Sequence, residues 1–155
     1  MIRVQKEAID IGAVLASLTA DNHRIGGVAT FIGVMRDLSV GKTVSAMTLE
    51  HYPGMTQKKL RAIECEAQKR WNLEASLIIH RYGRFQPGDC IVFVATAATH
   101  RQAALDSCAF LIDWLKTKAP FWKLEETVDG ARWVDAQLSD EVATARWLDT
   151  AKQPT

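Results

Sequence analysis

The apolar positions change period several times along the chain, and each change marks an element. Residues 2–5 alternate weakly, as in a short strand. Asp10 stands where it can cap a helix whose Ile11, Val14, Leu15 and Leu18 fall on one face, ended by Asp21-Asn22-His23. Over residues 26–35 both alternating faces are apolar: Val28, Ile32 and Val34 on one, Ala29, Phe31 and Met35 on the other. That is the pattern of a buried strand. The polar stretch 36–42 then reads as a loop and 43–52 as a second strand. So short a connection predicts antiparallel neighbours.

Pro53 suits the first turn of a helix. Leu60, Ile63, Ala67 and Trp71 then recur at helical spacing, with Lys58, Lys59, Arg61, Lys69 and Arg70 mostly off that stripe as a solvated face. Residues 77–82 read as a strand, Gln86-Pro87-Gly88-Asp89 as a turn, and 90–98 as a central strand. A helix over 100–118 is stopped by Pro120. Residues 121–128, the turn Asp129-Gly130, and 131–136 form a hairpin. Ser139 caps a last short helix carrying Val142, Trp147 and Leu148, and 151–155 are a frayed tail. Adjacent strands with interspersed helices predict an α+β fold with a mainly antiparallel sheet.

Composition narrows the function classes. The 155 residues, without repeats or a linker, make one domain spanning 1–150. Apolar residues are 48% and charged residues 24%, enough to bury a core without disulfides. The net charge of +1 gives no global field for nucleic acid, so any anion site must be a local cluster. The longest apolar run, residues 91–98, is strand-sized, and the first residues lack the apolar run of a signal peptide; the cytoplasm is the expected compartment. Cys65, Cys90 and Cys108 are far apart, without metal-ligand or redox spacing, and read as small buried hydrophobes. His23, His51, His80 and His100 also lack paired spacing, so neither a metal site nor a resident cofactor is expected.

Three places carry candidate chemistry. Thr99 followed by Gln102 has capping-box spacing, which puts His100 and Arg101 in the first turn of the following helix. Cations there oppose the helix dipole. They make sense if an anion sits at that end, held by side chains and unpaired N–H groups together; two exposed surface residues are the alternative. Lys116 and Lys118 close the same helix, a favourable place for cations that needs no site to explain it. Lys123 stands in an apolar stretch, where strand alternation puts Phe121, Lys123 and Glu125 on one face. A lysine that loses solvation among aromatics becomes a usable acid or base; an exposed ion pair with Glu125 explains it equally well. Arg36 opens the loop after a strand, where sites commonly lie.

Five tracts together are more specific than any of these: Thr48-Leu49-Glu50-His51-Tyr52-Pro53-Gly54-Met55-Thr56, Ile79-His80-Arg81-Tyr82-Gly83, Pro87-Gly88-Asp89, His100-Arg101, and Leu115-Lys116-Thr117-Lys118-Ala119-Pro120-Phe121-Trp122-Lys123. In this order they resemble the large, catalytic subunit family of molybdopterin synthase, over residues 26–147. The resemblance implies an α/β hammerhead-type fold with a small added antiparallel β subdomain. It implies a homodimer within a heterotetramer, flanked by a ubiquitin-like small subunit whose C-terminal Gly-Gly is carried as a thiocarboxylate. The implied activity is sulfur transfer to cyclic pyranopterin monophosphate, forming the molybdopterin dithiolene. By motif position the catalytic lysines fall on Lys116 and Lys123. Substrate-binding residues fall on Arg36, His100, Arg101, Lys116, Lys123 and Glu125, with Val34 and Met35 contributing backbone more than side chains. A non-catalytic module docking a ubiquitin-like tail is the competing reading. A nucleotide-binding enzyme is a further one, without a Walker-type or Gly-rich loop in the sequence.

Helix geometry adds one expectation. His100 and Lys116 are 16 residues apart on one helix, about 24 Å at 1.5 Å per residue. Residues 102–115 contain no Pro or Gly to bend it. If both serve one small substrate, the site must be shared between two subunits.

Overall fold

The computed structural model describes residues 1–39, 41–134 and 138–149. The order is β1 (Ile2–Gln5), α1 (Ile11–Thr19), β2 (Gly27–Val34), β3 (Leu38–Ser39), β4 (Lys42–His51), α2 (Met55–Trp71) and β5 (Ala75–Arg81). Then follow β6 (Gly83–Phe85), β7 (Cys90–Ala98), α3 (Arg101–Lys118), β8 (Phe121–Thr127), β9 (Gly130–Val134) and α4 (Leu138–Asp149). The strands form two sheets. One runs β1-β5-β7-β2, with β1–β5 parallel and its other pairs antiparallel. The other runs β3-β4-β8-β9, with β6 also on β4, and is antiparallel throughout. This is the expected α+β class.

Period-two alternation on β5 builds the first sheet's two faces. Leu77 and Ile79 point to one side, where Phe93 and Ala95 of β7 meet Ile11, Val14, Leu15 and Leu18 of α1. Asp10 caps α1 as its position suggests, accepting from the Ala13 N–H at 2.9 Å. Ile78 and Val94 point to the other side, against Leu60, Ile63 and Ala67 of α2 and Phe110 and Leu111 of α3. Each fully buried side chain of this size contributes about 1.5–3 kcal/mol. The antiparallel sheet has its own smaller core of Met35, Val44, Met47, Leu49 and Phe85.

The strand over 26–35 departs from expectation. It is buried only at Ala29 and Met35, and it does not pair with the strand that follows. β2 is an edge strand hydrogen-bonded to β7, with Ile32 45% and Val34 48% exposed. After a register shift at Gly33/Val34 the ladder makes one last pair, Val34 with Cys90; the Met35 N–H donates to the Asp89 carbonyl, and the chain crosses to the second sheet. There β3 folds back on β4, taking the place expected for β2.

Smaller differences are local. Pro53 lies before α2 rather than in its first turn; Gly54, at φ 82°, is the N-cap and donates its N–H to Gln57 Oε1 at 2.8 Å. The β8–β9 turn falls at Val128-Asp129, one residue earlier than expected. α4 begins at Leu138 and so already includes Ser139. Its Trp147 is buried, whereas Val142 and Leu148 are exposed. Residues 135–136 of the expected hairpin and the tail 151–155 lie outside the described residues. Cys108 is buried and Cys90 half-buried, but Cys65 is exposed on α2 rather than buried as expected. Among the described residues no helix is long and apolar enough to cross a membrane.

Candidate active site

A cavity of about 460 Å³ opens where the two sheets meet the end of α3. Val34, Met35, Arg36, Lys116, Lys123 and Glu125 all line it. Their convergence follows from local structure. Past the register shift in β2, Val34 makes the last pair with Cys90, and Met35 and Arg36 leave the first sheet. Lys116 lies in the last turn of α3, where a cation suits the helix dipole. Ala119 is the C-cap in extended conformation, the Phe121 N–H donates to its carbonyl at 2.9 Å, and Pro120 prevents further helix. This tight reversal sends β8 back along the cavity, with Lys123 and Glu125 on its inner face and Trp122 on the outer, exposed one.

Glu125 is 2% exposed, with Lys123 Nζ 2.9 Å from one carboxylate oxygen and Arg132 Nη2 3.2 Å from the other. Burial pushes its pKa up. Hydrogen bonds from Lys123 and Ser39, the Lys123 charge and the Arg132 hydrogen bond outweigh this and hold it below the usual carboxylate range. Three cations, Arg36, Lys116 and Lys123, face the cavity against the carboxylates of Glu125 and Asp140. That balance favours an anionic ligand.

His80, at the end of β5, also lines the cavity. Its ring stacks on Phe121 at 3.7 Å between centroids. Burial drives its pKa down to about 4, further than the Arg81 carbonyl raises it, and His51 lowers it too. His80 is therefore neutral near pH 7. Its Nδ1–H donates to the Arg81 carbonyl at 2.9 Å, which leaves Nε2 as an acceptor.

His100 and Arg101 are not in this cavity. They sit exposed at the opposite end of α3, which runs unbroken from Arg101 to Lys118. The expected capping box is absent. His100, not Thr99, is the N-cap and makes no side-chain cap bond. Gln102 reaches forward to Asp106 at 2.8 Å rather than back to the helix start. Glycine makes this end of the helix accessible to β2: a Cβ on Gly26 would stand 2.1 Å from the Thr99 carbonyl oxygen.

The sequence reading missed two residues. His80 lay in a quoted tract but carried no signal of burial. Arg132 could have been found by hairpin register. A turn at Asp129-Gly130 would set Val134 opposite Glu125, whereas the observed turn at Val128-Asp129 sets Arg132 there.

Comparisons with known proteins give the family. Residues 4–118 match the family model described as MoaE protein. The chain is 53% identical over 146 residues to the molybdopterin synthase catalytic subunit of Ralstonia nicotianae, covering 94% of this chain and 83% of that one. It is also 53% identical to the molybdopterin synthase catalytic subunit of Pseudomonas aeruginosa, covering 94% and 97%. The molybdopterin biosynthesis MoaE protein from Burkholderia ambifaria superimposes with a TM-score of 0.82 at 52% identity, over 95% of this chain and 97% of that one. By sequence and by fold, the chain belongs to the MoaE family of molybdopterin synthase catalytic subunits.

Proposed function

We propose that this chain is a molybdopterin synthase catalytic subunit that moves sulfur from the C-terminal thiocarboxylate of a ubiquitin-like small subunit to cyclic pyranopterin monophosphate, in the cytoplasm. One observation carries the reading. In a chain with this ancestry, Arg36, Lys116 and Lys123 converge on one cavity although they are far apart in sequence. Residues 1–150 act as a single catalytic domain. Lys116 meets the incoming acyl–sulfur terminus, and Lys123 serves as acid, base or charge stabiliser beside Glu125. Arg36, His100 and Arg101 hold phosphate and pterin, with Val34 and Met35 shaping the wall.

The sulfur comes from outside the chain. Among the described residues no cysteine lines the cavity. Burial raises the Cys90 thiol, and raises Cys108 to about 11, so neither offers a thiolate at neutral pH. The test is a mass measurement on the pterin after incubation with thiocarboxylated small subunit. Gain of two sulfurs is expected; an unchanged pterin, with the partner verified as bound, refutes the reading.

His100 and Arg101 reach a cavity through a second copy of the chain. The continuous α3 keeps them about 24 Å from Lys116 of their own chain. The open edge of β2, with Ile32 and Val34 exposed, supplies an apolar surface on which a two-fold partner can pack. Subunit exchange between Arg101→Ala and Lys116→Ala dimers, each inactive alone, leaves each hybrid dimer one intact site. With random exchange, activity returns to roughly a quarter of wild type. No recovery after verified exchange would place the whole site within one chain.

A further inference from the structure

Glu125 has two cations on it, and they do different work. Lys123 lies on the same strand, two positions back, and faces the cavity. Arg132 stands directly opposite Glu125 across the β8–β9 ladder. It reaches the second carboxylate oxygen from behind and is not among the residues lining the cavity. The same Nη2 also donates to the Ser39 carbonyl at 3.3 Å, three residues beyond Arg36. Arg132 therefore ties the segment carrying Arg36 to the strand carrying Lys123. Among the described residues its buried Nε finds no acceptor, so the Nη2 contacts are what hold the side chain in this place.

A carboxylate this deeply buried needs a counter-charge at all times. If Lys123 were its sole partner, turning the ammonium towards a substrate, or giving up a proton, would strand a bare buried anion. A guanidinium keeps its proton at any working pH and stays on its carboxylate. We propose that Arg132 is a positioning residue for sulfur transfer: a permanent counter-cation that keeps Glu125 placed and ionised, so that Lys123 is free to engage substrate, while its contact with Ser39 fixes the segment that carries Arg36. This rests on Lys123 acting in the reaction, as proposed above.

The charged and titratable groups that bear on Glu125 come from every wall of the cavity: Lys123 on β8, Arg132 on β9, Arg36 after β2, Lys116 on α3, His80 on β5 and Asp140 on α4. The experiment therefore reads Glu125 directly. Arg132→Gln keeps a hydrogen-bond donor without charge, and Arg132→Lys keeps a charge without the fork. Each is assembled with thiocarboxylated small subunit and assayed for kcat and KM against pH. The Glu125 carboxyl is followed in parallel by NMR with carbon-13 at the side-chain carboxyl of glutamate. For Arg132→Gln, kcat falls by roughly tenfold or more, the size of one lost charge-assisted hydrogen bond, and KM for the pterin changes far less. Glu125 titrates at higher pH than in wild type, and the acid limb of the kcat profile moves up with it. Arg132→Lys restores most of both. A folded Arg132→Gln enzyme with unchanged Glu125 titration and kcat profile overturns the proposal. So does an Arg132→Lys enzyme whose Glu125 titration and kcat are as impaired as in Arg132→Gln, a comparison that Arg132→Lys against wild type still decides if Arg132→Gln does not fold. A wild-type-like Lys123→Ala enzyme would instead refute the reading of Lys123, and the Glu125 titration would still decide the arginine's hold on the carboxylate.

Discussion

Lowering the pH from 7 to 4.5 protonates His80 in the unfolded chain but leaves most of it neutral in the fold. The unfolded imidazole titrates near 6.5, and burial takes the folded one to about 4. The unfolded state then binds more protons in the window between those values, so stability from this group is present above pH 6.5 and is lost as pH falls towards 4. Linkage through these two values gives a loss of about 2.5 kcal/mol between pH 7 and pH 4.5. That is a large share of the 5–15 kcal/mol typical of a domain. His80→Phe removes the titration and keeps a ring to stack on Phe121, whose centroid lies 3.7 Å away. The variant gives up the hydrogen bond to the Arg81 carbonyl, so it starts less stable at pH 7 by about 1 kcal/mol. Urea denaturation at both pH values supplies the comparison. The stability gap between wild type and variant should close, and then reverse in sign, as the pH falls to 4.5. Other groups, Glu125 among them, titrate equally in both proteins and cancel. Parallel pH dependences, agreeing within about 0.5 kcal/mol, would refute a His80 held neutral in the fold.

Lys116→Ala should abolish sulfur transfer while changing stability by no more than about 0.5 kcal/mol in urea denaturation, because the side chain is exposed at a helix end. Replacing Cys65, Cys90 and Cys108 together by Ala should leave pterin sulfuration intact at a cost of about 1–3 kcal/mol, nearly all from the buried Cys108; loss of transfer by a folded variant would expose a cysteine relay. Gly26→Ala forces a Cβ to within 2.1 Å of the Thr99 carbonyl oxygen and should lower stability by about 1–3 kcal/mol in the same denaturation assay. A neutral result there would mean that β2 and the start of α3 are not as closely packed as described.

Elements that rest on a local pattern were legible in the sequence. Asp10 signals its own helix start, Leu60, Ile63 and Ala67 their own buried stripe, and Pro120 its own helix stop. What failed was long-range. The strand over 26–35 carries apolar residues on both faces, which in one chain means burial between layers. It is an open edge instead, because periodicity reports that a face is apolar without saying what covers it. Periodicity alone, unlike the family resemblance, did not separate the second sheet, for a related reason. A loop of seven residues reads as a hairpin connection, but two of them, Leu38 and Ser39, form a strand of their own and redirect the pairing. Gln102 shows how a local signal can be outbid: its side chain goes forward to Asp106 on the same helix rather than back to the cap.

The site itself was legible only as separate pieces, and α3 explains why. Its uninterrupted length fixes which charges can share a ligand. Lys116 sits at the end where the chain reverses, so Lys123 and Glu125 come back to it on β8, and the register shift in β2 brings Arg36 to the same place. His100 and Arg101 sit at the other end, and no rotamer spans about 24 Å. A rigid helix with candidate anion-binding residues at both ends cannot close one site alone, yet two such helices related by a two-fold axis bring opposite ends together. In the two-fold dimer proposed above, the exposed apolar edge of β2 and the divided charge cluster are two consequences of one arrangement. The same strand ends at Val34 in the cavity wall and begins at Gly27 beside Arg101, so a copy docked on β2 touches both halves of the chemistry.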